Sequence, residues 1–156
     1  MVLAALRDDA YNAVLLLHIV SVIAAFAPAA VNPYVEAKIK AAEGDAGVIQ
    51  HYRYASQASK GVHFPALVVA GVFGGALIGM SKTGGELVWK FEQTWIWGGI
   101  LTWVLLCGVV SGMIIPAEKA VGAGDTTAAA KVARGGGIAT VLLLVQLYLM
   151  IFKPGA

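Results

Sequence analysis

Long apolar runs alternate with short polar connections along the chain. Four stretches carry no Asp, Glu, Lys or Arg: residues 13–31, 62–80, 95–115 and 135–152. Each is close to the ~20 helical residues that cross a ~30 Å hydrocarbon layer. None alternates in the period-2 manner of a barrel strand. Lipid offers a backbone no hydrogen bonds, so such runs are expected as helices. The pattern predicts an all-α fold, a transmembrane four-helix bundle, in a single integral membrane domain over residues 1–156. Ala25-Phe26-Ala27 resembles a small-x-small signal cleavage site, but Arg7 faces Asp8 and Asp9 before it, which is not a basic leader, so the first run is read as a span.

The connections carry most of the charge. Residues 32–61 read as a helical continuation to Glu43, a break at Gly44-Asp45, and a helix from Gly47 to Lys60 that runs into the second span. Gly84-Gly85 marks a turn, and Asp125 is an expected N-cap ahead of the fourth helix. The first and third connections hold Lys38, Lys40, Arg53, Lys60, Lys119, Lys131 and Arg134. The opposite side holds Arg7, Lys82, Lys90 and Lys153. This bias places both termini outside the cytoplasm. Trp89, Trp95 and Trp97 then form an aromatic belt at the outer interface.

Composition supports the lipid reading. The 156 residues are 59% hydrophobic and only 13% charged. Mean hydropathy is +0.78. One water-soluble core of this size does not hide so much apolar surface. A net charge of +2 is too small to imply a nucleic-acid partner. The single Cys107 excludes an internal disulfide and a thiolate metal cage; it reads as an apolar packer. Gly71, Gly75 and Gly79 form overlapping G-x-x-x-G units, and Gly108 and Gly112 repeat the spacing. Such faces admit a close helix, from the same chain or from a second copy in a homo-oligomer. Pro28, Pro33, Pro65 and Pro116 lie near span ends, where they kink or terminate helices at low cost.

Polar groups at membrane depth are the candidate chemistry. His18 lies roughly 8 Å into the first span, Thr102 roughly 10 Å into the third and Gln146 roughly 9 Å into the fourth, all from the same side. One layer could therefore gather these three, with Gly74 and Gly75 leaving space. A neutral imidazole ligates a metal or a haem iron through one nitrogen while the other donates to a polar neighbour. The competing reading is a set of hydrogen bonds that only join helices. By the same rise, His63 is expected roughly 15–20 Å from His18 in depth, which disfavours a haem shared by the two. His63 is expected against headgroups or the segment from Tyr52 to Lys60, and His51 in water. Lys90 reads as a snorkelling lysine or as a partner of Glu86 or Glu92. No span holds a carboxylate, which removes the usual coupling group of an ion-driven transporter. No catalytic triad, P-loop or dinucleotide fingerprint is present, so the reading leans away from an enzyme. A structural or accessory membrane subunit and a small-molecule transporter or channel stay open.

Several short motifs resemble those of known proteins. They are Leu16-Leu17-His18-Ile19, His63-Phe64-Pro65-Ala66 running into Gly71 to Gly79, Thr94-Trp95, Ile115-Pro116-Ala117-Glu118-Lys119, and Met150-Ile151-Phe152-Lys153-Pro154. Together they resemble a family of small four-span predicted bacterial integral membrane proteins of unknown function. The pattern is also similar to the membrane domains of copper-resistance D proteins and to the bacterial haem-binding protoporphyrinogen oxidase. That resemblance implies a bacterial inner-membrane bundle and haem as a cofactor. It also implies functional roles for a first-span histidine, here His18, and for a lysine near the third span, for which Lys90 is the nearest residue.

Overall fold

A computed structural model describes residues 9–83 and 85–155. Arg7 and Asp8, used above for orientation and the leader, and Gly84 of the turn signal lie outside the described residues. The fold is all-α apart from one antiparallel pair of two-residue strands, β1 (Lys82–Thr83) and β2 (Glu86–Leu87). The helices are α1 (Asp9–Ala58), α2 (Phe64–Met80), α3 (Thr94–Val109), α4 (Ile115–Gly122) and α5 (Ala129–Phe152). Joined through intervening helical turns, they make three stretches long and apolar enough to cross a membrane: Asp9–Met80, Thr94–Gly122 and Thr126–Phe152.

The first stretch is not one rod. Gly44 adopts φ 64° and ψ −152°, a conformation that breaks the helix and that glycine reaches without a Cβ penalty. Hydrogen bonds join residues 52 and 39 positions apart across this break, so the chain folds back on itself there. The break at Gly44-Asp45 was legible in the sequence. Pro28 and Pro33 lie inside α1, which continues past both to the Gly44 break, so neither terminates the helix.

Pro65 and Pro116 are accommodated by a shared device. Each is preceded by one widened π-turn, Ser59–His63 and Val110–Ile114. The N–H of Phe64 donates to Ser59 O, and that of Ile115 to Val110 O. A proline has no N–H for the carbonyl four residues back, and its ring crowds that carbonyl. Widening the turn by one residue relieves the clash without breaking the helix.

Three apolar clusters are stacked along the helices. At the Gly44 end lie Val48, Tyr52, Val121 and Ala128. Midway, Leu67, Leu106 and Ala139 meet Ala25, Phe26 and Cys107. At the opposite end, Ile78, Trp95 and Ile96 pack with Trp89, Leu149 and Met150. Glycines set the close approaches. A Cβ on Gly122 would lie 2.9 Å from the Arg53 backbone, and one on Gly135 would lie 2.7 Å from Ile114 Cγ1. A Cβ on Gly71 would overlap the Trp103 indole, whereas Gly75 and Gly79 face open space. Only one glycine of that stripe is thus used within the described chain.

The outer faces stay apolar. Ile151 is 69% exposed, and Ile23, Leu101 and Leu144 exceed 60%. No more than 17% of the most apolar window of any of the three stretches is buried. Such surfaces are costly in water and at ease in lipid.

Candidate functional site

Two groups of polar side chains lie between the helices. The first joins α1 to α2 by reciprocal histidine bonds. His18 on α1 donates from Nδ1 to Ala70 O on α2 at 2.8 Å. His63, in the π-turn that leads into α2, donates from Nδ1 to Ala24 O on α1 at 2.7 Å. A carbonyl only accepts, so both Nδ1 atoms carry hydrogen, and the neutral ring keeps its lone pair on Nε2.

The two acceptors differ. Ala24 lies four residues before Pro28, so its carbonyl has no helical N–H to receive. His63 supplies the missing donor. Ala70 lies four residues before Gly74, which does have an N–H, so the His18 bond is an addition to the helix ladder. Gly74 also makes room for the ring: a Cβ there would sit 3.4 Å from His18 Cε1. Trp103 repeats this arrangement one turn away. Its Nε1–H donates to Leu67 O at 2.9 Å, over the space left by Gly71.

The depth-matched layer of His18, Thr102 and Gln146 resolves into separate contacts. The Thr102 hydroxyl donates to Gly98 O in its own helix at 2.7 Å. Gln146 on α5 faces α3, where its Nε2 would lie 3.4 Å from a Cβ on Gly99, and its buried Oε1 has no partner. Lys90 is exposed in the segment between β2 and α3, and its backbone N–H donates to Gln93 Oε1 at 3.3 Å. Lys153 is the lysine that meets the tryptophans. Its Nζ lies 4.3 Å from the Trp89 ring centre, and Trp89 packs edge-on to Trp95 at 5.5 Å. His18 and His63 lie six residues apart as projected on α1, or roughly 9–10 Å. This is closer than depth counted from the apolar boundaries implied. The helices overrun those boundaries, so register is set by their contacts.

The second group lies at the Gly44 end and was missed in the sequence. The Tyr52 hydroxyl donates to Glu36 Oε2 at 2.6 Å. Burial, the bond to Glu36 and the nearby charges of Glu36 and Glu118 all push the Tyr52 hydroxyl above its ordinary value. Glu118 is 3% exposed, and its Oε2 has no partner. Burial pushes its carboxyl up, while a bond from Ser59 and the proximity of His63 pull it down. His51, expected in water, is half-buried with its ring against Tyr52 at 5.4 Å. Pro33 before Glu36 and Pro116 before Glu118 were the available signal: each carboxylate follows a proline that the helix passes through.

Among the described residues, no three His, Cys, Asp or Glu side chains converge on a possible metal-ion position. No family model, no curated protein and no solved structure matches the chain.

Proposed function

We propose that this chain is a four-span protein of a bacterial cytoplasmic membrane, with both termini outside the cytoplasm, that binds a haem-type group through His18. The two arms that meet at Gly44 supply the first two spans, and the remaining two long stretches supply the third and fourth. The observation that carries the binding reading is the bond from His18 Nδ1 to a carbonyl that does not need it. Such a bond orients the imidazole and raises the basicity of Nε2, as the outer partners of ligating histidines do. A haem-type group, when bound, would supply a redox-active iron, and the chain would hold it through the Nε2 of His18, whose ring sits against Gly74. Gln146, which faces Gly99 on α3, and Thr102, which bonds Gly98 O in its own helix, stand outside this first contact.

Reciprocity favours a second reading. Two histidines that each bind the other's helix also describe a clasp in a structural or accessory subunit. Absorption spectroscopy of the full chain, reconstituted with hemin, separates the two. The binding reading expects a Soret band that His18→Ala removes and His63→Ala leaves in place. A spectrum identical to free hemin, or one that responds equally to both variants, would leave the clasp as the function of the pair.

A further inference from the structure

A basic groove lies beside the Gly44 end, separate from the histidines. Arg53, Ser56, Gln57 and Lys60 follow the i, i+3, i+4, i+7 spacing of one helix face. Lys119 on α4 stands opposite, and the space between them is about 380 Å³. The close approach of Gly122 to the Arg53 backbone brings the two walls together. No acidic residue lines the groove. Glu118, beside Lys119 in the chain, is 3% exposed and packs into the bundle, so its carboxylate does not face the three cations. The end of α4 does not present bare carbonyls either. Lys119 O and Ala120 O accept from Ala123 N–H, Ala120 O also from Asp125 N–H, and Val121 O from Gly124 N–H.

Three cations in one recess, with the Gln57 amide between them, match a phosphoryl group, while the Ser56 hydroxyl donates to Arg53 O at 3.0 Å. Their level matches as well. Lys60 immediately precedes the apolar run at 62–80, and Lys119 follows the run that ends at residue 115. We propose that this groove is a binding site for a phosphoryl anion, carried either by an anionic phospholipid headgroup or by a soluble phosphate compound. Basic recesses between spanning helices at headgroup level hold lipid phosphates by this chemistry.

The test uses the full chain in nanodiscs. In discs of equal phosphatidylglycerol and phosphatidylcholine, native mass spectrometry should find phosphatidylglycerol retained in preference. Lys60→Gln with Lys119→Gln should weaken that preference by about fivefold for each cation removed. Lys40→Gln with Lys131→Gln removes the same charge outside the groove and should change it by less than about twofold. Gln57→Glu leaves all three cations but places a negative charge among them, and should also weaken the preference, by about fivefold. In discs of phosphatidylcholine alone, titration with inorganic phosphate examines the soluble source. Saturable binding lost in the groove variants would identify that source, and retained phosphatidylglycerol would identify the lipid. Absence of both, or equal losses in the groove and control variants, would overturn the proposal.

Discussion

His63 and Pro28 are complementary: the proline leaves the Ala24 carbonyl without its helical donor, and the imidazole of the neighbouring helix occupies that carbonyl at 2.7 Å. The pair explains how α1 continues through a proline within an apolar run. An unpaired carbonyl between helices is costly, and the donor from the π-turn ahead of α2 removes that cost. Helix pairing and proline tolerance thus depend on the same contact.

His63→Ala should lower stability by roughly 0.6–2 kcal/mol. In a Pro28→Ala background the loss should be smaller, because residue 28 then carries an N–H for Ala24 O. Reversible unfolding in mixed micelles, arranged as a double-mutant cycle, measures the difference. Equal losses in both backgrounds would contradict the coupling.

Gly71→Ala should destabilise by about 1–3 kcal/mol, because its Cβ overlaps the Trp103 indole and strains the bond to Leu67 O. Gly75→Ala, on the open side of the same helix, should stay within about 0.5 kcal/mol. Thermal unfolding in detergent compares them, and tryptophan emission should shift for the first variant alone.

Glu118 holds its proton to higher pH in the folded chain than in the unfolded one. Its contribution is therefore fully present below the ordinary carboxyl value of 4.5 and is lost as pH rises through the folded value. Glu118→Gln keeps the neutral shape and should flatten this decline. Melting temperatures from pH 4 to pH 8, taken for both proteins, should converge at the acid end, with the variant higher at the neutral end. A wild-type melting curve independent of pH would count against the assignment.

Lys153 ends α5 at φ 44° while its ammonium lies over Trp89. Lys153→Ala loses the cation–π contact, worth about 0.5–2 kcal/mol, and keeps the left-handed backbone strain. Lys153→Gly loses the contact but relieves the strain, so it should be the more stable variant by about 0.5–1 kcal/mol. Circular-dichroism melts rank the two, and the reverse order would show that the backbone at residue 153 relaxes without glycine.

Much of the helical layout was legible in the sequence for local reasons. An uncharged run long enough for the hydrocarbon layer has few alternatives to a helix. Gly44 is where the helix breaks, as its sequence predicted, and the Asp125 side chain accepts the Thr127 N–H at 3.1 Å, capping the 3-10 turn Thr126–Ala128 that leads into α5 rather than α5 itself. Lateral pairing was not legible. In lipid the buried and exposed faces of a helix are both apolar, so periodicity does not tell which side meets a neighbour. Depth alone therefore grouped His18, Thr102 and Gln146, although His18 bonds α2, Thr102 bonds its own helix and Gln146 faces α3.

The amino-acid pattern by itself determined the apolar helices, the Gly44 break and the presence of polar groups at depth, because these depend on neighbours within a few residues. Only the tertiary structure decided that His63 serves the carbonyl released by Pro28, that His18 meets Ala70, and that Glu118 is buried near Tyr52. Those outcomes rest on the register between helices, which many simultaneous contacts across long chain separations set and no local run of residues encodes.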